Sequence, residues 1–325
     1  MLVTATALLI LVALFLSVPR LANALAVGVA DVRSADSTWL AIATFGSLLS
    51  LLASAAAWDR GLAACGVHLR RRDVIRRYAA GSLANSLSPA HVGEVVRVSL
   101  LSRAMRSEGA VFTSIGVAAA VGLARVFIAG ALFAVTLGFT GSLLWLAAVV
   151  LALPLLAKVA SVIGSRFGWR RVTHCLDVFR GLKADPPAAA AFLVCLAFGT
   201  AARVFSAACT AQALGVRHPV SAALVMVAAL ELVACIPLAG AVVLTSAAVA
   251  LTLERHGVPV AEAIGVGIGF QGVETLVGVV FGGMCVVSLA SWTHAQARLA
   301  FGAAGLALLV GVATSVALGF GSELL

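Results

Sequence analysis

The sequence predicts an all-α polytopic membrane protein of about eight transmembrane helices, built as one integral membrane domain over residues 1–325. Three observations lead to this prediction. The mean hydropathy is +1.12, only 11% of the residues are charged, and several apolar runs are long enough to cross a bilayer. Soluble domains carry about 25% charged residues. A soluble core could not bury so much apolar surface, so most of it must face lipid.

Each apolar run approaches or exceeds the roughly 20 residues of helix that cross the hydrocarbon core. The runs lie near residues 1–18, 39–57, 111–139, 142–164, 188–215, 220–250, 260–290 and 300–320. The sixth run is too long for one ordinary helix and contains Pro237, which favours a span followed by a re-entrant half-helix over 237–253. We interpret the first run as a membrane helix rather than a signal peptide, because it lacks a basic amino-terminal region.

Arginine and lysine set the expected orientation. Residues 58–109 contain nine of them and residues 165–187 contain five, whereas the other connections contain one or two each. The positive-inside rule places both basic segments in the cytoplasm, and eight spans then place both termini there. A re-entrant 237–253 would reverse the last two spans. The high alanine and low lysine content favours a bacterial origin, so the expected location is a bacterial inner membrane.

Two segments of the chain resemble each other. Residues 114–117 read SIGV and residues 263–266 read AIGV. Ten residues after each isoleucine comes a charge within an apolar run, Arg125 in the first case and Glu274 in the second. Either chance in an Ala/Gly/Val-rich chain or an internal duplication explains this match.

A proline followed by a glycine precedes each copy, at Pro89–Gly93 and at Pro237–Gly240. A duplication would give two halves, 1–164 and 188–325, joined by a basic cytoplasmic loop over 165–187. Transporters are often built from such repeats, with the site between them.

Four charges lie inside apolar runs: Arg125, Arg203, Glu231 and Glu274. A charge at the bilayer centre costs about 2.5–3.5 kcal/mol on insertion scales, so such residues need a reason to be there. One interpretation is internal ion pairing between the arginines and the glutamates. The other is a polar path, because arginine offers a fork of donors that suits phosphate. The two are compatible, since an ion pair can open when a phosphate enters.

Residues 78–108 predict a re-entrant hairpin. The apolar arms on either side of Pro89 are shorter than a span, and irregular backbone at membrane depth must be buried in protein or line a wet cavity. Pro89 breaks the helix and Gly93 permits close approach. The positive end of a half-helix beginning there suits an anion. The alternative is an amphipathic helix lying on anionic lipid.

Glu94 and Arg97 are three residues apart, so they share a helical face and can pair. Arg103 follows on the same segment. The six cysteines are scattered without metal-binding spacing, and the sequence contains no GxxxxGK[ST] motif, so we expect neither a metal nor another cofactor.

The pattern Asn85-x-x-x-Pro89-x-x-x-Gly93-Glu94-x-x-Arg97 resembles the transmembrane region of lysylphosphatidylglycerol synthase, a flippase-like membrane family. A basic stretch, SLLSR at 99–103, follows as it does in that family. The resemblance extends over nearly the whole chain in length and span pattern. The chain departs from the family at Ala124 before Arg125 and in the single glycine after Pro237.

The resemblance implies that a lipid, or a lipid-linked headgroup, is moved between the leaflets. Bifunctional relatives carry a soluble aminoacyl-transferase domain after the membrane part. We expect this chain not to synthesise aminoacylated lipid itself. The residues expected to bind the headgroup are Asn85, Pro89, Gly93, Glu94, Arg97, Arg103, Arg125, Arg203, Glu231 and Glu274.

The expected partners are the membrane and an anionic phospholipid or a lipid-linked substrate, and not nucleic acid. A second copy of the chain and a lipid-modifying enzyme are both left open as protein partners. Two other functions stay open as well. One is an integral-membrane transferase with Glu94 and His91 as its acid or base, although no catalytic constellation stands out. The other is a non-transporting partner in a lipid-modifying complex.

Overall fold

The computed structural model describes residues 35–87, 92–105, 109–136, 170–233 and 260–290. These ranges are helical and contain no strand, which confirms the all-α prediction for them. The helices are α1 (Ser37–Ala64), α2 (Arg71–Leu87), α3 (Val92–Met105), α4 (Ala110–Thr136), α5 (Arg170–Ala184), α6 (Pro186–Ala213), α7 (Pro219–Val233) and α8 (Val260–Ala290).

Four of these helices, α1, α4, α6 and α8, are long and apolar enough to cross a membrane. They correspond to the runs predicted near 39–57, 111–139, 188–215 and 260–290. The shorter apolar helix α7 covers the start of the run at 220–250. The runs at 1–18, 142–164 and 300–320 and the half-helix at 237–253 lie outside the described residues. The count of eight spans therefore stays a prediction.

Helices α1 and α6 pack side by side in opposite directions. The backbone N–H of Asp36 donates to the carbonyl of Ala213 at 3.1 Å, which joins the start of α1 to the end of α6. Nearer the middle, the Ser206 hydroxyl donates to the carbonyl of Ala43 at 2.7 Å. Gly46 and Gly199 lie at this contact, and their lack of a side chain allows the two backbones to approach closely.

The two helices also begin and end alike. Each has 28 residues and begins after an aspartate, Asp36 or Asp185, whose carboxylate accepts a hydrogen bond from a backbone N–H of the first turn. Each is followed by a glycine with positive φ, Gly66 at 75° and Gly215 at 76°. The two aspartates are 149 residues apart in the sequence, and so are the two glycines.

Helix α5 lies within the predicted basic loop 165–187. Its apolar side chains Val178, Phe179 and Leu182 follow helical spacing and pack into a buried cluster with Leu62 of α1 and Val74 of α2. The opposite face exposes Arg180 and Lys183. A helix forms because this periodicity gives the segment an apolar stripe to bury.

The end of α1, the start of α2 and helix α5 thus meet at one end of the bundle, which we call the basic end. Its exposed cations are Arg60, Arg70, Arg71, Arg72, Arg180 and Lys183. Burial raises the pKa of the Cys65 thiol there to about 11, and the negative charge of Asp177 adds to this effect. Cys65 is therefore a protonated, partly buried packing residue at neutral pH.

Helices α2 and α3 form an antiparallel hairpin. The backbone N–H of Gly93 donates to Oδ1 of Asn85 at 2.7 Å, and Nε of Arg97 donates to the carbonyl of Tyr78 at 3.4 Å. A Cβ placed on Gly81 would lie 2.8 Å from the Gly93 carbonyl oxygen, so the helices nearly touch. The open ends of the hairpin lie at the basic end.

The start of α2 is already part of that end. The end of α3 leads into α4, whose early residue Gly116 packs against α5, so the end of α3 lies there as well.

Helix α8 packs along α2 in the opposite direction. Gly278 faces Ser86 near the tip of the hairpin, and Gly282 faces the backbone of Ala79 one turn further along. Gly278 lies near the middle of α8. The tip of the hairpin therefore reaches about half the length of α8, and the end of α8 lies beside the start of α2 at the basic end.

Adjacent glycines of α8 provide a test of this packing. A Cβ on Gly282 would lie 2.6 Å from the carbonyl oxygen of Ala79, whereas a Cβ on Gly283 would meet nothing within 4 Å. Alanine favours a helix interior over glycine by about 1 kcal/mol. We expect Gly283→Ala to be neutral or stabilising, and Gly282→Ala to destabilise by about 1–3 kcal/mol through overpacking. Thermal unfolding of both purified variants checks this. Equal melting temperatures would contradict the close α2–α8 contact.

Candidate functional site

Tyr78 is the centre of a group of polar side chains inside the bundle. It is the only tyrosine of the chain, and α2 holds its side chain at 3% exposure. The guanidinium carbon of Arg97 lies 4.2 Å from the centroid of its ring. The ring of Trp58 lies on α1 with its centroid 6.3 Å away and tilted by 60°. A cation over an aromatic face is attracted to it, so Tyr78 helps to hold Arg97 in place.

Arg97 is almost fully bonded. Its Nη2 donates to the Ser82 hydroxyl at 2.9 Å, and its Nη1 forms an ion pair with Oε1 of Glu94. The structure thus confirms the pairing predicted from the spacing of these two residues. The other carboxylate oxygen of Glu94, Oε2, is buried and has no hydrogen-bond partner among the described residues.

Arg125 projects from the middle of α4 toward α1 and α2. Its Nη2 donates to the Ser54 hydroxyl at 2.7 Å and to the Tyr78 hydroxyl at 3.4 Å. Both of these acceptors are hydroxyl oxygens. Within the described ranges Arg125 forms no ion pair, so a half-buried guanidinium lies here without a carboxylate in direct contact. We call Tyr78, Arg97, Glu94, Ser82, Arg125 and Ser54 the tyrosine cluster.

A second group, the central ion cluster, joins α6, α7 and α8. Arg203 binds both oxygens of Glu274, with Nε–Oε1 at 2.6 Å and Nη2–Oε2 at 2.9 Å. Its Nη1 lies 2.5 Å from Oε1 of Glu231. Glu231 is 7% exposed. The predicted pairing of arginines with glutamates is therefore confirmed for Arg203, which pairs with both carboxylates.

The two clusters are neighbours. Gly199, one helical turn before Arg203, lies beside Ser54, and a Cβ on it would be 3.5 Å from the Ser54 hydroxyl. Arg125 is close enough to Glu94, Glu231 and Arg203 to interact with their charges. Together the clusters contain three arginines and three glutamates and sum to zero. Among the described residues the pairing is uneven, because Arg203 has two carboxylates, Arg97 has one and Arg125 has none.

The remaining predicted residues have other positions. Asn85 and Gly93 bond to each other and fix the narrow end of the hairpin. Arg103 is exposed in the last turn of α3, on the return toward the basic end. Pro89 and His91 lie outside the described residues. No group of three His, Cys, Asp or Glu side chains in the described ranges could hold a metal ion.

Ser54, Tyr78 and Ser82 belong to the site but are not among the residues predicted from the sequence. Neutral hydroxyl side chains are common in membrane helices, so their presence alone does not indicate a site. A usable signal was present in α2, where Tyr78 and Ser82 are four residues apart and so share one face of a helix. The single tyrosine of the chain was the other available signal.

This fold and this site define a helical membrane protein with a charged interior built around a short helical hairpin. The family model for the lysylphosphatidylglycerol synthase TM region matches residues 2–282. The chain therefore belongs to that family, and the resemblance inferred from the hairpin motif is confirmed. A comparison with curated proteins found no match.

The central ion cluster predicts a large effect of removing its arginine. Arg203→Met would leave Glu231 and Glu274 without their cation, which for buried pairs costs about 3–5 kcal/mol. Arg180→Met offers a matched control, because Arg180 is 59% exposed and its pair with Asp177 is worth about 0–1 kcal/mol. Thermal unfolding in detergent should show a large decrease in melting temperature for the first variant and little change for the second. A similar small change in both would mean that the cluster contributes little to stability.

Proposed function

We propose that the protein moves a phosphate-bearing lipid, or a lipid-linked headgroup, between the two leaflets of a membrane. The observation that supports this most directly is Arg125. Its guanidinium lies inside the bundle beside two hydroxyl groups and keeps donors that no carboxylate of the described helices occupies. A guanidinium binds phosphate oxygens with charge-assisted hydrogen bonds, and it does so more strongly where water is scarce.

The α2–α3 hairpin serves in this proposal as a re-entrant element that enters from one leaflet. Its two open ends lie at the basic end, and its tip meets α8 near the middle of that apolar helix. If α8 crosses the bilayer, the tip lies near the midplane. A helix pair of this kind carries polar side chains to a depth that a lipid headgroup otherwise cannot reach.

The basic end faces the cytoplasm in this proposal, as the positive-inside rule requires. A groove of about 450 Å³ opens there between the start of α2 and the end of α8. Its lining residues are Arg70, Arg72, Asp73, Arg76, Arg77, Ser288 and Leu289. Four arginines against one aspartate attract anionic headgroups from the adjoining leaflet.

From the basic end the headgroup would follow the inner face of the hairpin. It would meet Arg97 first, where a phosphate can replace Glu94 as the partner of the guanidinium, and then Arg125. The acyl chains would stay in the lipid. The structure gives less support to the transferase alternative, because one of the two carboxylate oxygens of Glu94 already pairs with Arg97.

Replacing Arg125 tests the proposal. We expect Arg125→Gln to slow the flipping of fluorescent phosphatidylglycerol in proteoliposomes by about tenfold or more, because a hydrogen bond to a charged group contributes about 1.5–3 kcal/mol. Dithionite quenching of the labelled lipid measures the rate. Arg125→Lys keeps the charge but loses the fork, so its rate should lie between those of Gln and the wild type.

The matched control is Arg180→Gln, which removes an exposed arginine of α5 that belongs to neither cluster and does not line the groove. It should leave the flipping rate unchanged. Flipping by Arg125→Gln at the wild-type rate, with an unchanged melting temperature, would remove Arg125 from the path. Mass spectrometry of the same lipid distinguishes the alternative, because a transferase leaves a covalently changed product.

A further inference from the structure

The offset of 149 residues that relates α1 to α6 extends to other elements. Helices α2 and α7 begin 148 residues apart, and α4 and α8 begin 150 residues apart. The matching tetrapeptides SIGV and AIGV are also 149 residues apart. Three helices of 36–136, namely α1, α2 and α4, thus recur among the described residues of 185–290 in the same order and nearly the same register.

The second stretch runs in the opposite direction to the first. Helix α1 runs toward the basic end and α6 runs away from it, whereas α4 runs away from the basic end and α8 runs toward it. Ser50 and Gly199, which correspond by the offset, are in contact, since a Cβ on Gly199 would lie 3.5 Å from the Ser50 carbonyl. Equivalent residues touch each other only where a two-fold axis passes, so the arrangement is that of an inverted repeat.

The same offset relates the two polar pairs at the centre of the bundle. Ser54 corresponds to Arg203, and Arg125 corresponds to Glu274. In the first copy Arg125 donates to Ser54 at 2.7 Å. In the second copy Arg203 donates to Glu274 at 2.6 and 2.9 Å. The same two positions are therefore bonded in both copies, but with a neutral partner in one and a carboxylate in the other.

We propose that Arg203 is a second binding position for the phosphate group that Arg125 binds, and that Glu231 and Glu274 close it in the conformation described. This inference rests on the proposed function. Arg203 already holds the two oxygens of one carboxylate edge-on. A phosphate monoester or diester presents the same two-oxygen edge to a guanidinium, so it can replace Glu274 without any change in donor geometry. Gly199, one helical turn before Arg203, lies beside Ser54, the partner of Arg125, so Arg203 is the neighbouring cation for a headgroup that leaves Arg125.

The first experiment opens the closed position. The probes are inorganic phosphate and, separately, dihexanoyl phosphatidylglycerol, each titrated against the purified full-length protein in detergent by calorimetry. Arg125→Gln should weaken binding about tenfold or more. Adding Glu231→Gln and Glu274→Gln to that variant should restore binding, and adding Arg203→Gln as well should remove it again. A folded Arg125→Gln/Glu231→Gln/Glu274→Gln protein that binds neither probe would overturn the inference.

The second experiment closes the open position and does not depend on removing carboxylates. Ser54→Asp builds into the first copy the carboxylate that the second copy has. It should weaken binding of the probe by about as much as Arg125→Gln does, since the new carboxylate occupies the guanidinium. Ser54→Asn has nearly the same size as Ser54→Asp but no charge, so it should weaken binding clearly less than Ser54→Asp does. Wild-type binding by a folded Ser54→Asp protein would contradict the equivalence of the two pairs.

The two proposals fail differently in these experiments. If the wild type binds a probe but the opened position adds nothing, only the inference about Arg203 fails. If the wild type flips no lipid in proteoliposomes, the proposed function fails, and the effect of opening Arg203 on phosphate binding can still be measured. Binding of phosphate alone would mark a site for the free anion, whereas binding of the lipid probe marks a headgroup site.

Discussion

A charge placed in the apolar interior of a membrane bundle must find its partners within the protein, because hydrocarbon offers none. The arrangement of the helices follows this constraint. Arg203 ties α6 to α7 and α8 through two carboxylates. Arg97 ties α3 to α2 through the carbonyl and ring of Tyr78, and the same tyrosine connects α2 to α4 through Arg125. Each arginine therefore links neighbouring helices through its side-chain contacts. The uneven distribution of carboxylates among the three arginines leaves Arg125 as the cation with most to gain from an external anion.

Glycine residues allow the helices to approach closely enough for these polar side chains to meet. The polar groups meet only because α1 approaches α6 at Gly46 and Gly199, and because α8 approaches α2 at Gly278 and Gly282. In membrane proteins close helix contact rests on small residues, since lipid gives no hydrophobic drive between apolar helices. The close α2–α8 contact also fixes the position of the hairpin tip along α8. A bulkier residue at Gly282 would move α2, and with it Tyr78, away from the groups that surround it.

Hydropathy was enough to predict four apolar helices in the described ranges, and residue spacing was enough to predict the Glu94–Arg97 pair, because both are properties of one segment. The family was found from the hairpin motif for the same reason. The partners of Arg125 and Arg203 could not be predicted from the sequence, since two arginines and two glutamates allow several pairings and only the packing of four helices selects one. Ser54 and Tyr78 were missed because a neutral hydroxyl has no distinctive sequence signal. The sequence analysis predicts a loop over 165–187 and does not predict helix α5, because the many basic residues there obscure the apolar stripe on its other face.

If 36–136 and 185–290 form an inverted repeat, as we infer, the difference between their polar pairs has a physical rationale. Two copies of the Ser54–Arg125 pair would place two arginines without direct counter-ions in the bundle, each at a cost of about 2.5–3.5 kcal/mol at the bilayer centre. Two copies of the Arg203–Glu274 pair would be neutral but would leave no guanidinium open to an anion. With one pair of each kind, only Arg125 carries the free-energy cost of a charge without a direct counter-ion, and only Arg125 is open to an anion. Under the proposed function, the open copy takes the headgroup while the closed copy holds the bundle together, and the bidentate geometry already present at Arg203 lets the second position accept a phosphate once Glu274 withdraws.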